Sequence, residues 1–415
     1  MGEPVEILLD GITHGGEAVG RLPDGRACFV PYALPGERVQ IEVVEQRKRW
    51  ARGRVLSILT PSPDRVEPPC PYFGPDRCGG CQLQHLAPAA QPALKRRILT
   101  EQLQRIGANP DPPVAPTVHV RDFGYRNNAR FGVDGGGRLG FRRANSNHLI
   151  PIEACLLLDE QVQALREEAG DSWRGALEVV VRAGLHTGER VMVVHPGESG
   201  LSPLPPGDTP VAVTGRPGRS QALRGQPALS EVVAGRRFRI SPTSFFQAST
   251  AGAEVLCGLV RQAADIHQGD TALDLYAGVG LFAAVLADQG AHVTAVEEDR
   301  GAVGDARQNL AADEVEVVCA DAEAYVRDLA ARGQTADVIV LDPPRRGAGG
   351  AVCQAMSALR PRVIVYVSCD PAALARDART LSELGYALSA AVPVDQFAQT
   401  AAIETVATFT RAQDA

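Results

Sequence analysis

Three cysteines, Cys70, Cys78 and Cys81, fall within the stretch "CPYFGPDRCGGCQLQH" of a 415-residue chain that has only nine. Such a group can hold a disulfide, a zinc ion or an iron–sulfur cluster, or can arise by chance. The start, "MGEPVEILLDGITHGG", lacks the basic end and apolar run of a secretion signal. No apolar run approaches the ~20 residues of a membrane span. A soluble, cytoplasmic protein without a membrane partner is expected, and a monomer. Thiols stay reduced in that compartment, so clustered cysteines favour metal binding or catalysis over disulfides.

A second constellation lies near the other end. "LDLYAGVGLFA" (Leu273 to Ala283) is an apolar run, a glycine turn and a helix start. Gly278 and Gly280 permit close backbone approach by a ligand, but the spacing lacks the third glycine of the dinucleotide fingerprint. Glu297 closes the next apolar run, where a carboxylate can accept both ribose hydroxyls of a nucleoside. Asp321, after "VVCA", can accept from an adenine amino group. These features favour adenosylmethionine, and NAD binding would share them. Two further runs end in Asp342-Pro343-Pro344-Arg345 and Ser368-Cys369-Asp370-Pro371. A lone cysteine at a strand tip is usually packing. Cys369 instead lies in a polar turn beside a cofactor site, where thiolate chemistry becomes available.

These residues need elements to hold them. From residue 236 onward, β-rich runs alternate with amphipathic helical stretches, which predicts α/β architecture with a parallel, doubly wound, Rossmann-like sheet. Its strand tips gather at one ligand edge. Residues 1–60 alternate apolar and polar with Gly-rich turns, as in a small OB-like β-barrel. Arg47, Lys48, Arg49, Trp50, Arg52 and Arg54 add cations for phosphates and an aromatic for a base, although a solvated strand pair is the plainer alternative. After the Pro-rich linker "TPSPDRVEPPCP", residues 86–108 look helical, with Leu94, Ile98, Leu103 and Ile106 among basic residues. The middle region is rich in Gly, Pro and β-branched residues. There "YRNNARF", with Arg126 and Arg130, and "LGFRRANSNH" set arginines beside aromatics and amides, a plausible RNA surface. Three domains follow: 1–60, 61–235 (mixed α/β, carrying the cysteine group) and 236–415. The net charge is −7, but residues 1–150 hold 20 Lys and Arg against 15 Asp and Glu, while the remainder hold 22 against 34. A basic front half suits an RNA partner.

"LDLYAGVG", "LDPPRRG", "YVSCDP" and "QTAAIETV", in this order, resemble the RNA 5-methyluridine methyltransferases. "GEAVGR…FVPYALPGERV" is similar to the TRAM domain that many of them carry. Cys70, Cys78 and Cys81, with Cys155 in "IEACLLL", resemble the ligands of their 4Fe-4S cluster; four thiolates can close such a cluster, and a Cys₄ zinc site is the runner-up. The chain departs from the family in two places. Seven residues separate the first two cysteines instead of about five. Near the end "FAQTAAIE" replaces F-P-x-T-x-H-x-E, with Ala398 for the proline and Ala402 for the histidine.

The resemblance implies S-adenosyl-L-methionine-dependent methylation of carbon 5 of a uridine. Cys369 would add to carbon 6, carbon 5 would take the methyl group, and Glu404 would remove the carbon 5 proton. Asp342 would bond the uracil edge or stabilise developing charge. Gln247, Tyr276, Gly278, Gly280, Glu297, Asp321 and Asp342 would surround the cofactor. Phe245 and Gln247 would meet the flipped base, and Arg49, Trp50, Arg126 and Arg130 other parts of the RNA. TRAM plus the cysteine group resembles the 23S rRNA enzymes more than the tRNA enzymes. The alternatives are a tRNA uridine-5 enzyme, an exocyclic-amine methyltransferase using "DPPR", and a non-catalytic RNA-binding iron–sulfur protein.

Overall fold

The computed structural model describes residues 3–198, 200–215 and 220–412. Strands β1 (Val5–Ile12), β2 (Ala18–Arg21), β3 (Ala27–Val30), β4 (Arg38–Gln46) and β5 (Trp50–Thr60) form a closed barrel in the order β1-β2-β3-β5-β4. The period-2 alternation turns Ile7, Leu9, Val39 and Ile41 inward. Helix α1 (Gln91–Arg105) and the short strand β6 (Val118–His119) follow.

The middle of the chain builds a second sheet. It contains β7 (Asn128–Val133), β8 (Leu139–Arg142), β9 (Leu149–Pro151), β10 (Ala176–Ala183), β11 (Arg190–Pro196), β12 (Val211–Thr214) and β13 (Ser220–Arg224). Their order is β13-β12-β11-β10-β7-β8-β9. Helix α2 (Glu160–Ala169) covers one face, packing Val162 and Leu165 into the same core as Phe131, Val179 and Val181. A hairpin, β14 (Leu229–Val233) and β15 (Arg236–Ile240), then leads into α3 (Thr250–Ala264).

The rest alternates strand and helix: β16 (Thr271–Leu275), α4 (Leu281–Ala287), β17 (His292–Glu297), α5 (Arg300–Asn309), β18 (Val315–Cys319), α6 (Ala322–Ala331), β19 (Val338–Leu341), α7 (Gly350–Ala358), β20 (Val363–Ser368), α8 (Pro371–Glu383), β21 (Tyr386–Asp395) and β22 (Glu404–Arg411). The sheet order is β18-β17-β16-β19-β20-β22-β21-β6. β16 to β20 are parallel, and β22 runs antiparallel between β20 and β21. Every residue of "VIVL" in β19 and "VIVYVS" in β20 is buried, as expected where helices cover both faces. None of the helices among the described residues is long and apolar enough to cross a membrane.

α1 and β6 precede the middle sheet in sequence but pack with the C-terminal one. Leu99 and Leu103 of α1 join a core with Leu374, Tyr386 and Phe409, and β6 extends the sheet beside β21. Ile98 and Leu103 are buried as the helical spacing predicts. Lys95, one of the basic residues among them, is buried too. It and Asp395 are both 0% exposed and 2.6 Å apart. Its ammonium also donates to the carbonyls of Phe397 (3.0 Å) and Ala402 (2.8 Å), so all three of its N–H groups are used. Asp395 meets His119 Nδ1 at 3.3 Å with its other oxygen. Removing one member of such a pair strands the other in the interior. Lys95→Met should therefore lower the unfolding free energy by ~3–5 kcal/mol, measured by denaturant titration. Asp395→Leu added to that variant should recover part of the loss.

Candidate active site

Register explains how residues far apart in sequence meet. β19 ends at Leu341 and releases Asp342; β20 ends at Ser368 and releases Cys369. Asp370 then caps α8, accepting from the Ala373 N–H at 2.7 Å. β22 pairs antiparallel with β20 so that Ser368 faces Thr405. One step further along that register sets Glu404 beside Cys369.

The resulting site concentrates acidic groups. Asp274 in β16 and Glu404 are buried, and Asp342 is largely enclosed. Burial, then the charges of Glu404 and Asp274, push the Asp342 carboxyl well above its ordinary range, against a hydrogen bond from Gln247. Burial raises Glu404, opposed by a hydrogen bond from Gln396 and by Arg345. Burial also raises Asp274, to about 7, with Glu297 adding to it. The Cys369 thiol is pushed up to about 11 by burial and by Glu404 and Asp342, while Arg345 pulls it down. Each acid therefore resists ionisation chiefly because it is buried, and acidic neighbours add to this at Asp342, Asp274 and Cys369. Two amides connect the carboxylates: Gln247 Nε2 donates to Asp342 Oδ2 at 3.3 Å, and Gln396 Nε2 donates to Glu404 Oε2 at 2.9 Å.

Phe245 stands at the rim, 69% exposed, between two anchored neighbours. Ser244 donates to Asp305 at 2.7 Å, and Phe246 is buried in the C-terminal core. An aromatic held outward on a fixed turn offers a stacking face.

The glycine turn is built for a ligand. Tyr276, Gly278 and Gly280 have φ of 61°, 55° and 92°. A Cβ on Gly280 would lie 2.7 Å from Leu310 Cδ1, whereas one on Gly278 would meet only open space. Glu297 braces the turn, accepting from the Gly278 N–H at 2.9 Å and the Asp299 N–H at 2.8 Å. Asp321 is exposed and caps α6 through the Ala324 N–H at 2.9 Å. Asp274 Oδ2 accepts from the Ala283 N–H at 2.8 Å, but its Oδ1 meets no donor among the described residues.

Cys70, Cys78, Cys81 and Cys155 line one cavity of about 630 Å³. Burial pushes the Cys81 thiol up to about 12, and it raises Cys78 and Cys155 as well. Among the described residues, no three His, Cys, Asp or Glu side chains are arranged to hold a metal ion. The loop after Cys81 touches the segment between β21 and β22 directly. The Gln82 and Leu83 N–H groups donate to the Gln399 carbonyl at 3.1 and 3.0 Å, and Gln82 Oε1 accepts from the Ala401 N–H at 3.2 Å.

Arg126 lies on the cysteine cavity wall, its guanidinium 6.0 Å from the Phe397 ring. Arg130 also borders the cavity and pairs with Glu178 at 2.8 Å on the exposed side. Arg49 is exposed on the barrel. Trp50 is half-buried, edge-on to Phe29 at 5.9 Å, with the Arg52 guanidinium 5.9 Å from its ring. Lys95, Gln396 and Asp274 were not singled out by sequence. Asp274 carried a signal, an acid inside the apolar strand "ALDL"; Gln396 carried none.

The sequence profile of the tRNA (uracil-5-)-methyltransferase family matches residues 211–412, and that of the TRAM domain matches residues 1–56. An uncharacterized RNA methyltransferase of Streptomyces coelicolor is 38% identical, over 98% of this chain and 93% of its own length. One from Gloeobacter violaceus is 35% identical, over 99% and 97%. The crystal structure of Pyrococcus abyssi tRNA (uracil-54, C5)-methyltransferase with S-adenosyl-L-homocysteine superposes with a TM-score of 0.75 at 24% identity, covering 97% of this chain and 99% of that one.

S-adenosylmethionine fits this acidic cradle. It carries a sulfonium and an ammonium, and the site offers buried acids with an unpartnered Asp274 oxygen. A cation favours the ionised form, so binding below about pH 7 should release protons from Asp274. Affinity should rise as pH increases through that range. S-adenosylhomocysteine, with no sulfonium, should show a shallower dependence. Calorimetry in buffers of different ionisation enthalpy measures the protons released.

Proposed function

The chain belongs to the RNA uracil-5-methyltransferase family, and from that premise we propose that it methylates carbon 5 of one uridine through a covalent cysteine adduct. It is an S-adenosylmethionine-dependent RNA methyltransferase. The observation that carries the finer reading is the convergence of Cys369, Asp342 and Glu404 at adjacent strand ends.

The cofactor, when bound, supplies an electrophilic methyl group. Gly278, Gly280, Tyr276 and Glu297 form its cradle, with Asp321 at the next strand end and Gln247 and Asp342 toward the reacting centre. Carbon 5 of uracil is a weak nucleophile until carbon 6 is attacked. Cys369 performs that attack. Its thiol is pushed up by burial first and then by its acidic neighbours, and Arg345 and a bound sulfonium both shift it toward thiolate. Asp342 bonds the uracil edge, and Phe245 stacks on the flipped base. Glu404 takes the carbon 5 proton; a buried carboxylate with a raised pKa is a stronger base than an exposed one. Arg49 and Trp50 on the barrel, with Arg126 and Arg130 in the middle region, contact the rest of the RNA.

Cys70, Cys78, Cys81 and Cys155 hold a 4Fe-4S cluster in this proposal. The support is that four thiols line one cavity, enough ligands to close a cluster, with a Cys₄ zinc site as the alternative. The cluster would act as a structural tie. The domains are taken as 1–60, 61–235 and 236–415. The substrate proposed is 23S rRNA, because the TRAM barrel and four cysteines occur together. A tRNA substrate is the second reading, favoured by the profile match over residues 211–412.

Cys369→Ala should abolish methylation and also the adduct with 5-fluorouridine RNA. Glu404→Gln should accumulate a methylated covalent protein–RNA complex, seen on a denaturing gel with methyl-labelled cofactor. Activity surviving in Cys369→Ala would point instead to exocyclic-amine methylation through Asp342-Pro343-Pro344-Arg345. Labelling total RNA and separating it by size assigns the substrate: label in 23S rRNA supports the proposal, and label confined to tRNA overturns that part. Anaerobically purified protein should contain iron and sulfide, and Cys81→Ser should lose both; stoichiometric zinc without iron would refute the cluster.

A further inference from the structure

Gln396 is fully buried beside Glu404. Its Nε2 donates to Glu404 Oε2 at 2.9 Å and approaches Gln247 Oε1 at 3.5 Å. No other side chain among the described residues donates to the Glu404 carboxylate. Burial raises the Glu404 carboxyl, and the groups that oppose it are the Gln396 amide first and then Arg345. Asp342 and Cys369 face it from the neighbouring strand ends and are themselves pushed up by its charge, so Gln396 is the principal group that favours the carboxylate.

The amide's far end is telling. Gln396 Oε1 finds no donor among the described residues. It presses on α3 at Gly252, where a Cβ would stand 2.0 Å from it. A buried carbonyl oxygen without a donor is costly. In this orientation the amide gives its N–H to Glu404 and leaves its own oxygen without a donor.

We propose that Gln396 is a positioning residue for the last step of the reaction: its amide N–H holds Glu404 ionised and in one rotamer until the carbon 5 proton is taken. This rests on Glu404 being the base. In that step the C5–H electron pair becomes the C5–C6 double bond. The C6–S pair departs with Cys369 as thiolate, and the proton passes to Glu404. Losing the N–H leaves the same base in place but protonated over more of the working pH range.

The test is Gln396→Met, similar in length and without an N–H. Single-turnover reactions would use RNA tritiated at carbon 5 of uridine, with methyl-labelled cofactor followed in parallel. A hydrogen bond to a charged group is worth ~1.5–3 kcal/mol, or about one to two pH units. The midpoint of tritium release should move up by at least about one unit, with roughly tenfold slower release below it. The wild-type rate should return at high pH, and methyl transfer should keep its rate. Gln396→Glu, which adds a further acid, should shift the midpoint upward too and serves if the methionine variant fails to fold. An unmoved midpoint in the folded variant, or a loss equal at every pH, overturns the proposal. Glu404→Gln separates the two ideas. If it turns over normally, the base assignment itself fails. If it stalls while Gln396→Met keeps the wild-type midpoint, only the role of Gln396 fails.

Discussion

The buried ion pair between Lys95 and Asp395 is the constraint on which the placement of Glu404 depends. Glu404 opens β22, and the segment before it, residues 396–403, has no regular structure to fix it. Residues from the front of the chain hold it instead. Lys95 ties the carbonyls of Phe397 and Ala402. Gln91 accepts from the Gln399 N–H at 2.8 Å and donates to its side chain at 3.0 Å. Tyr125 donates to the Ala398 carbonyl at 3.0 Å. This chain lacks the proline and histidine that its relatives' motif would place at 398 and 402, and main-chain carbonyls of both positions are bonded here. Charges in the interior are expensive unless paired and fully bonded; this lysine meets both conditions.

The chemistry follows from a second imbalance. Asp274, Asp342, Glu404 and Cys369 share a small volume with Arg345 as the neighbouring cation acting on Glu404 and Cys369. Without ligand the site favours its protonated forms. A cationic ligand opposes that preference and favours the ionised forms. The glycine turn and the acidic strand tips are parts of one electrostatic arrangement, and the two glutamine amides fix its geometry.

Much of the architecture was legible in sequence because it rests on local periodicity. Alternation in residues 5–60 gives the barrel, and the apolar runs "VIVL" and "VIVYVS" could only be covered strands. The meeting of Asp342 and Cys369 was legible because parallel strands put their tips on one edge, whereas Glu404, at the start of the antiparallel β22, was placed with them only by the family resemblance. What stayed hidden depends on tertiary contacts that no local pattern records. Lys95 sits among arginines and has the look of a solvated helix face; its burial is decided by Asp395, which no local pattern reveals. Gln396 is one polar residue in an irregular loop, and its importance comes from a hydrogen bond to Glu404. Likewise, α1 and β6 precede the middle sheet in sequence and complete the C-terminal one in space.

That last arrangement sets an order of assembly. β6 pairs with β21, and α1 packs against α8 and β21, all formed by residues beyond 370. During synthesis the segment from 91 to 119 must wait, with Lys95 still hydrated, while the ribosome makes the intervening chain. At ~5–20 residues per second the delay is about 15–60 seconds. The barrel needs no such partner and can close early. The N-terminal helix is thus among the first segments made and among the last to find its place, and the active site is completed only when it docks.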